Sequence, residues 1–117
     1  PGSAVVEFAL VLPLVLVVLL AAVEVAVVAR AQLEVSQAAR EGAREAAASP
    51  DPAAAVAAVR RFLGDGLGGE ARVSVSRDHV VGGRAEVVVQ IPYRIAAPLF
   101  GGFAVQLEGR CTMRVER

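Results

Sequence analysis

The chain has 117 residues, of which 56% are hydrophobic and only 21% charged, and its 12 basic and 12 acidic side chains leave no formal net charge at pH 7. An ordinary soluble domain is about 45–50% apolar, so this composition is typical of one small domain joined to a membrane segment. The charge balance favours no nucleic-acid partner. A single cysteine excludes an internal disulfide and a multi-cysteine metal site.

The apolar excess lies near the N-terminus. Between residues 8 and 29 only Pro13 and Glu24 are not plainly apolar, and about 20 such residues cross the hydrocarbon core of a bilayer as a helix. A secretory signal peptide would have a shorter apolar stretch with a cationic start. No Arg or Lys precedes this segment. We therefore expect a membrane helix, in a chain that is processed or truncated because it lacks an initiator Met.

Two carboxylates interrupt the apolar pattern. Glu7 either lies at the water interface, where the helix dipole favours an acid, or pairs with a cation when the helix leaves the membrane. Glu24 has only apolar residues at its i±3 and i±4 positions, and an acid inside a membrane span costs about 2.5–3.5 kcal/mol and is by default functional. It lies about 9 Å of helix rise from Arg30. It therefore either reaches the outer interface or pairs with a neighbouring subunit.

The apolar helix is predicted to continue beyond the membrane. Pro13 removes one backbone hydrogen bond and is a candidate flexible point. No Gly or Pro occurs between residues 14 and 37, and the Ala-rich continuation favours a helix. We predict one helix from Ser3 to Ala48, with a membrane segment at 8–29 and a stem at 30–48. Small side chains on one side of the stem would let another element approach closely: Ala31, Val35, Ala38, Gly42 and Ala46.

Residues 49–117 are predicted to form a small α+β head. Asp51 followed by Pro52 is typical of a helix start, and the helix should span Ala53 to Leu63. Four apolar side chains form its predicted buried stripe: Val56, Val59, Phe62 and Leu63. Four glycines are expected to end the helix and form a loop: Gly64, Gly66, Gly68 and Gly69.

Period-two alternation in the rest of the head predicts three antiparallel strands with one face covered by helix. A hairpin is expected at Gly82-Gly83, and Pro92 and Pro98 should bracket an irregular segment. The predicted inner face comprises Val73, Val75, Val87, Val89, Ile91, Val105, Leu107, Cys111, Met113 and Val115. The predicted fold is α+β, with a long N-terminal helix, a second short helix and a three-stranded sheet.

The remaining chemistry favours contact surfaces over catalysis. His79 is the single histidine and has no second ligand at metal spacing, and Cys111 is expected to be a packed, inert thiol. We expect no enzyme activity, metal or cofactor. Leu99, Phe100 and Phe103 lie in a loop bounded by Pro and Gly, where they either form a subunit contact or cap the core of the head.

Several segments together resemble a known family. Residues 2–8, Gly-Ser-Ala-Val-Val-Glu-Phe, followed by an apolar helix, resemble the processing site of type IV pilin-like proteins, in which a membrane peptidase cuts after Gly and leaves Glu at the fifth mature position. The fuller pattern resembles the TadE-like pseudopilins of the tight adherence (Tad) pilus. Its further parts are residues 9–13, the intramembrane Glu24, residues 38–44 and residues 112–116.

This resemblance implies a pilin-like fold and a place in the bacterial cell membrane, single-pass with the N-terminus cytoplasmic, or in an extracellular pilus. It implies that prepilin peptidase cleaves between Gly2 and Ser3, and that the partners are membrane lipid before assembly and other pilin-like subunits afterwards. The implied function is a subunit of a Tad-type pilus or of its assembly machinery.

A stationary, membrane-anchored protein whose head binds envelope partners is the alternative function. The carboxylates discriminate between the two, because a static anchor needs neither of them. A bundle of stems can pair Glu7 with the α-amino terminus of one adjacent subunit and Glu24 with Arg30 of another.

Overall fold

The structure, a computed structural model, describes residues 2–95 and 103–116, without the side chains of residues 95 and 103. In chain order its elements are α1 (Gly2–Ala48), α2 (Pro52–Gly68), β1 (Arg72–Arg77), β2 (Arg84–Ile95) and β3 (Phe103–Arg114). The strands form one antiparallel sheet in the order β1-β2-β3. The predicted α+β fold is therefore confirmed, and the molecule extends over 76 × 23 × 17 Å.

The long helix α1 divides into two parts by burial. It is helical from Gly2 to Ala48, with Pro13 inside it, which confirms the predicted single helix. No residue from 2 to 30 is buried, and we call this part the free segment. The part from Ala31 onwards packs into the head, and its buried residues are Ala31, Val35, Ala38, Ala39, Gly42, Ala43, Ala46 and Ala47. The predicted small-residue side of the stem is therefore the side that is buried.

Close approach of α1 to β3 and to α2 depends on two glycines. A Cβ atom at Gly109 of β3 would lie 2.6 Å from the carbonyl oxygen of Val35, and one at Gly42 would lie 2.5 Å from Cγ2 of Val59. Larger side chains at either place would push the elements apart. The largest fully buried side chains around these contacts are Ile91, Val35, Val59, Val87, Val89 and Val115.

The second helix begins as predicted but ends differently. The Asp51 carboxylate accepts a hydrogen bond from the backbone N–H of Ala53 at 3.0 Å, as an N-cap does. The predicted loop from Gly64 onwards is wrong, because Gly64 (φ 76°) makes a kink and helix continues to Gly68. The Arg60 guanidinium donates to the carbonyl of Gly68 at 2.7 Å, which holds this extra turn in place.

The buried face of α2 differs from the predicted stripe. Ala55, Ala58, Val59 and Gly68 are buried. Of the predicted residues besides Val59, Val56 and Leu63 are half-buried, and the side chain of Phe62 is 46% exposed. Ala55 and Val59 lie against Gly42 of α1. A contact that tight has no room for an aromatic ring, so Phe62 remains at its rim.

The sheet follows the predicted alternation, with one correction. In β2, Val87, Val89 and Ile91 are buried, and the residues before each of them are half-buried. Pro92 was expected to begin an irregular segment, but β2 continues through it to Ile95. β1 begins at Arg72, opposite Gln90, so Pro92 lies beyond the neighbouring strand, where a missing N–H costs no hydrogen bond on that side.

Hydrogen bonds tie the C-terminal end of α1 to the sheet. The Arg77 side chain donates from Nε to the carbonyl of Ala46 at 2.7 Å, and the backbone N–H of Glu116 donates to the carbonyl of Ala47 at 2.9 Å. These carbonyls belong to the last turn, where a helix has no internal donors for them. The end of the long helix is therefore held firmly by the head.

Candidate functional site

The free segment is the feature of this molecule that requires a partner. Its most apolar 18-residue window has a mean hydropathy of 2.9, and none of that window is buried within the structure. Within the part of the chain that the structure describes, α1 is the one helix long and apolar enough to cross a membrane. A core helix of a soluble protein can be equally long and apolar, but its side chains are mostly buried. The exposure of this helix therefore identifies it as a candidate membrane anchor.

Glu7 lies near the beginning of the free segment. It is exposed, and the described residues offer its carboxylate neither a hydrogen bond nor an ion pair. Ser3, four residues earlier, lies about 6 Å away along the helix axis. Gly2 and Ser3, the predicted cleavage position, form the first turn of α1 and are exposed.

Glu24 lies on the side of α1 that carries the head. It precedes Ala31, Val35 and Gly42 by 7, 11 and 18 residues, which are about two, three and five whole turns. Those three residues are buried against the head, whereas Glu24 is half-buried and has no ion-pair partner among the described residues. Its carboxylate therefore faces the space below the head.

Arg30 marks the upper end of the free segment. Its Nε atom lies 3.7 Å from a carboxylate oxygen of Glu34 on the same helix, and its side chain is 84% exposed. An exposed pair at this distance contributes only about 0.3–0.5 kcal/mol. Arg30 is therefore available to an acidic partner that binds it more strongly than Glu34 does. The structure does not bring Arg30 to Glu24.

Pro13 and the predicted apolar loop have different outcomes. Pro13 lies within a continuous helix, and its missing N–H leaves the carbonyl of Ala9 without its usual donor. Flexibility at this point stays a prediction. Leu99 and Phe100 lie outside the described residues, and Phe103 is described only as the first backbone position of β3.

The side chains with reactive chemistry lie apart from one another. His79 and Arg77 line a shallow cavity of about 160 Å³ near the end of α1, together with Ser49 and Pro50. Across the described residues, no group of three His, Cys, Asp or Glu side chains could hold a metal ion. Cys111 is half-buried against the core.

Sequence reasoning missed one exposed apolar residue near the free segment. Leu33 is 63% exposed although it lies above Arg30, at the level of the head. It precedes Gly42 by nine residues, about two and a half turns, which places it on the side of α1 opposite the head. The sequence does carry one signal: Leu33 comes after Arg30, beyond the apolar segment, and it lies outside the small-residue side of the stem.

Comparison with known proteins identifies the region that carries this site. The family model described as TadE-like protein matches residues 2–44, which are nearly the whole of α1. The resemblance predicted from the sequence is therefore confirmed for the free segment and the helix that continues from it. No significant match occurs among curated proteins or among solved structures.

Proposed function

We propose, from the TadE-like sequence of residues 2–44, that this protein is a subunit of a Tad-type pilus or of its assembly machinery. In this proposal the apolar helix holds the subunit in the membrane before assembly, single-pass and with its N-terminus in the cytoplasm. During assembly the helix leaves the lipid and packs against the helices of other subunits.

The observation that supports this proposal is the unburied apolar surface of the free segment. Between Val5 and Val27, fifteen large apolar side chains are at least 42% exposed. Returning each of them to an apolar environment is worth about 1 kcal/mol, since full burial of such a side chain is worth about 1.5–3 kcal/mol. The helix is therefore stable only when lipid or protein covers it along its whole length.

The two carboxylates favour protein as the final cover. An unpaired carboxylate in a dry bundle costs several kcal/mol or takes up a proton, so each one needs a cation there. The first cationic side chain after Glu7 on its own helix is that of Arg30, 23 residues later. Glu24 has apolar residues one turn away on both sides. Cations for both must come from adjacent subunits.

One axial offset between neighbouring subunits would supply both cations. A copy shifted upward by about 6 Å brings its Ser3 amine level with Glu7 of the lower copy, and a shift of about 9 Å brings its Glu24 level with Arg30. Side-chain reach covers the difference between these two values. Copies in other registers would leave charges unpaired, so the carboxylates would also select the correct register.

This offset requires a free amine close to Glu7. Cleavage between Gly2 and Ser3 by a prepilin peptidase would create it at Ser3. Mass spectrometry of the protein recovered from cells with and without the peptidase tests this step, and an unchanged N-terminus in both strains would remove the Ser3 amine from the proposal.

The experiment for the whole proposal separates membrane insertion from assembly. We expect Glu7→Ala and Glu24→Ala to insert into membranes at the level of the unchanged protein and to lose most of the assembled material recovered from the cell surface. Glu70→Ala removes an exposed acid of the head and serves as the matched control. Normal assembly of both variants would favour the stationary anchor.

A further inference from the structure

We propose that the lower end of the head rests on the membrane surface before assembly, where Arg30 and Arg94 bind the phosphates of anionic lipid headgroups. The lower end of the head is the part of the sheet around Arg94 of β2 and Ala104 of β3. The inference rests on the membrane-held form in the proposed function. It adds how deeply α1 inserts and which lipid chemistry the chain contacts.

Heights on the sheet can be measured against α1, because β3 runs alongside it in the same direction. Gly109 lies over Val35 and Ser36, and seven residues later Glu116 donates its N–H to the carbonyl of Ala47. The twelve residues from Val35 to Ala47 rise about 18 Å, so each residue of β3 rises about 2.6 Å along the helix axis. A strand rises about 3.3 Å per residue along its own axis, so β3 is tilted against the helix.

This relation places Arg94 near the height of Arg30. Arg94 pairs with Ala104 of β3, five residues before Gly109. Five residues of the tilted strand correspond to a drop of about 13 Å below Val35, and Arg30 lies about 7.5 Å below Val35 on the helix. The two arginines therefore lie within about one helical turn of each other in height.

The two guanidinium groups leave the molecule on opposite sides. Arg30 precedes the fully buried Ala39 by nine residues, which is two and a half turns, so it lies on the side of α1 away from the head. Arg94 follows Tyr93, which packs against the hydrophobic core, so Arg94 lies on the outer face of the sheet. Both side chains are exposed. The head therefore has a cation on each side at one height.

The chain itself supplies neither arginine with a strong acidic partner. Arg94 makes no ion pair among the described residues, and no charged residue follows it before Glu108. Arg30 has only its exposed pair with Glu34 at 3.7 Å. A phosphate group suits both, because a guanidinium binds it through two parallel N–H donors.

The two carboxylates of the free segment indicate the depth of insertion. Glu7 and Glu24 are 17 residues apart, about 26 Å along the helix, and the hydrocarbon core of a bilayer is about 30 Å thick. A bilayer centred between the two carboxylates leaves each one about 2 Å inside a boundary, where it avoids the cost of an acid at the centre. The upper hydrocarbon boundary then lies just above Glu24.

The headgroup layer above this boundary contains both arginines. That layer is about 5–7.5 Å thick on each side of a bilayer. Arg30 lies about 7 Å above the boundary, and Arg94 lies between Arg30 and the boundary. Lipid phosphates are present in this layer wherever α1 is inserted, whereas an acidic protein partner would have to be supplied by another chain. Anionic lipid is therefore the partner that the position of these arginines favours.

Quenching by spin-labelled lipid tests the height of the head. A fluorophore is attached to Ala104→Cys or, as the matched control, to Thr112→Cys, with Cys111→Ala in both. Each chain is inserted into nanodiscs whose lipids carry a nitroxide on the headgroup. Ala104 and Thr112 are both exposed, and Thr112 lies about 20 Å higher. We expect strong quenching at Ala104→Cys and little at Thr112→Cys, and equal quenching would overturn the inference.

Native mass spectrometry tests the lipid chemistry. The chain is released from nanodiscs of equal parts phosphatidylglycerol and phosphatidylcholine, and the lipids that it retains are counted. We expect mostly phosphatidylglycerol, and Arg30→Gln and Arg94→Gln should each lower its ratio to phosphatidylcholine about fivefold. Arg114→Gln is the control, at an exposed residue at the other end of the same sheet face. An equal ratio in all three variants would refute the lipid contact.

Inorganic phosphate distinguishes a lipid contact from a site for a soluble anion. Because α1 holds the head within the headgroup layer, the effective concentration of lipid phosphate there is high. Excess inorganic phosphate should therefore leave the retained ratio unchanged, relative to chloride at the same ionic strength. Loss of the preference for phosphatidylglycerol would assign the arginines to a soluble anion and overturn the inference.

These measurements separate the inference from the proposed function, because they use the membrane-inserted chain and require no filament. A chain that forms filaments but shows neither the quenching nor the lipid preference would refute only the inference. A chain that shows both but never assembles would refute only the pilus proposal. A chain that does not stay in nanodiscs would refute the membrane anchor, and the inference would fail with it.

Discussion

Replacing Gly109 by alanine tests how closely the long helix approaches the sheet. Alanine in the middle of a strand is ordinarily better than glycine by about 0.5–1 kcal/mol, because glycine loses more conformational freedom on folding. Here the new Cβ would lie 2.6 Å from the carbonyl oxygen of Val35, 2.9 Å from its carbonyl carbon and 3.0 Å from Cα of Ser36. All three are backbone atoms, so the helix and the strand would have to separate.

Such overpacking of a well-packed core costs about 1–3 kcal/mol, which outweighs the propensity gain. Each kcal/mol lowers the melting temperature of a head of this size by about 4–8 °C. The assay is thermal unfolding of the full chain in detergent micelles, followed by circular dichroism of the sheet. Gly66→Ala is the matched control, because a Cβ there meets nothing within 4 Å and lies in α2, where alanine is favoured over glycine by about 0.8–1 kcal/mol.

We therefore expect Gly109→Ala to unfold at a lower temperature than the unchanged protein, and Gly66→Ala at the same or a higher temperature. A Gly109→Ala variant at least as stable as the unchanged protein would show that α1 does not lie this close to β3. In that case the placement of the head on the helix would be wrong.

Two other substitutions address the ends of the helices. Arg77→Met should lower the free energy of unfolding by about 1.5–3 kcal/mol, because the buried carbonyl of Ala46 loses a charged donor at 2.7 Å. Arg61→Met is the control at an exposed residue. It should change the midpoint of urea unfolding little. Equal effects of these two variants would mean that the Arg77 contact is not stabilising. Asp51→Ala should lower the free energy of unfolding by about 1 kcal/mol, and Asp51→Asn by much less, because Asn also caps a helix. Equal losses for the two variants in denaturant titrations would show that Asp51 does not act as an N-cap.

The long helix and the sheet could be predicted because their patterns are local. The absence of Gly and Pro between residues 14 and 37 favours a continuous helix, and the alternation in β2 and β3 assigns their inner faces directly. The small-residue side of the stem was also correct, since Ala31, Val35 and Gly42 are buried as predicted. Periodicity alone was enough for these elements.

The errors in the prediction have tertiary causes. Gly64 does interrupt α2, but the Arg60 guanidinium holds a further turn beyond it, and a contact eight residues away has no local signature. Pro92 is tolerated in β2 because β1 does not extend opposite it, which depends on strand pairing. Gly109 has its role only because α1 passes over it.

The candidate site was predicted in part. The unusual positions of Glu7 and Glu24 are visible in the sequence, since both interrupt an apolar run. That Glu24 shares the side of the head follows only once Ala31, Val35 and Gly42 are known to face the sheet. The exposure of Leu33 had only a weak signal in the sequence, its place outside the small-residue side of the stem, and the structure was needed to show that nothing covers it.

Electron microscopy of the chain after detergent removal tests the central claim most directly. The chain is purified from membranes in detergent, and the detergent is then withdrawn in the absence of lipid, so that the free segment must find protein to cover it. We predict filaments, because packing against the helices of other copies covers the exposed apolar side chains of the free segment. Dispersed single particles or shapeless aggregates, with the chain stable only when lipid is returned, would contradict it.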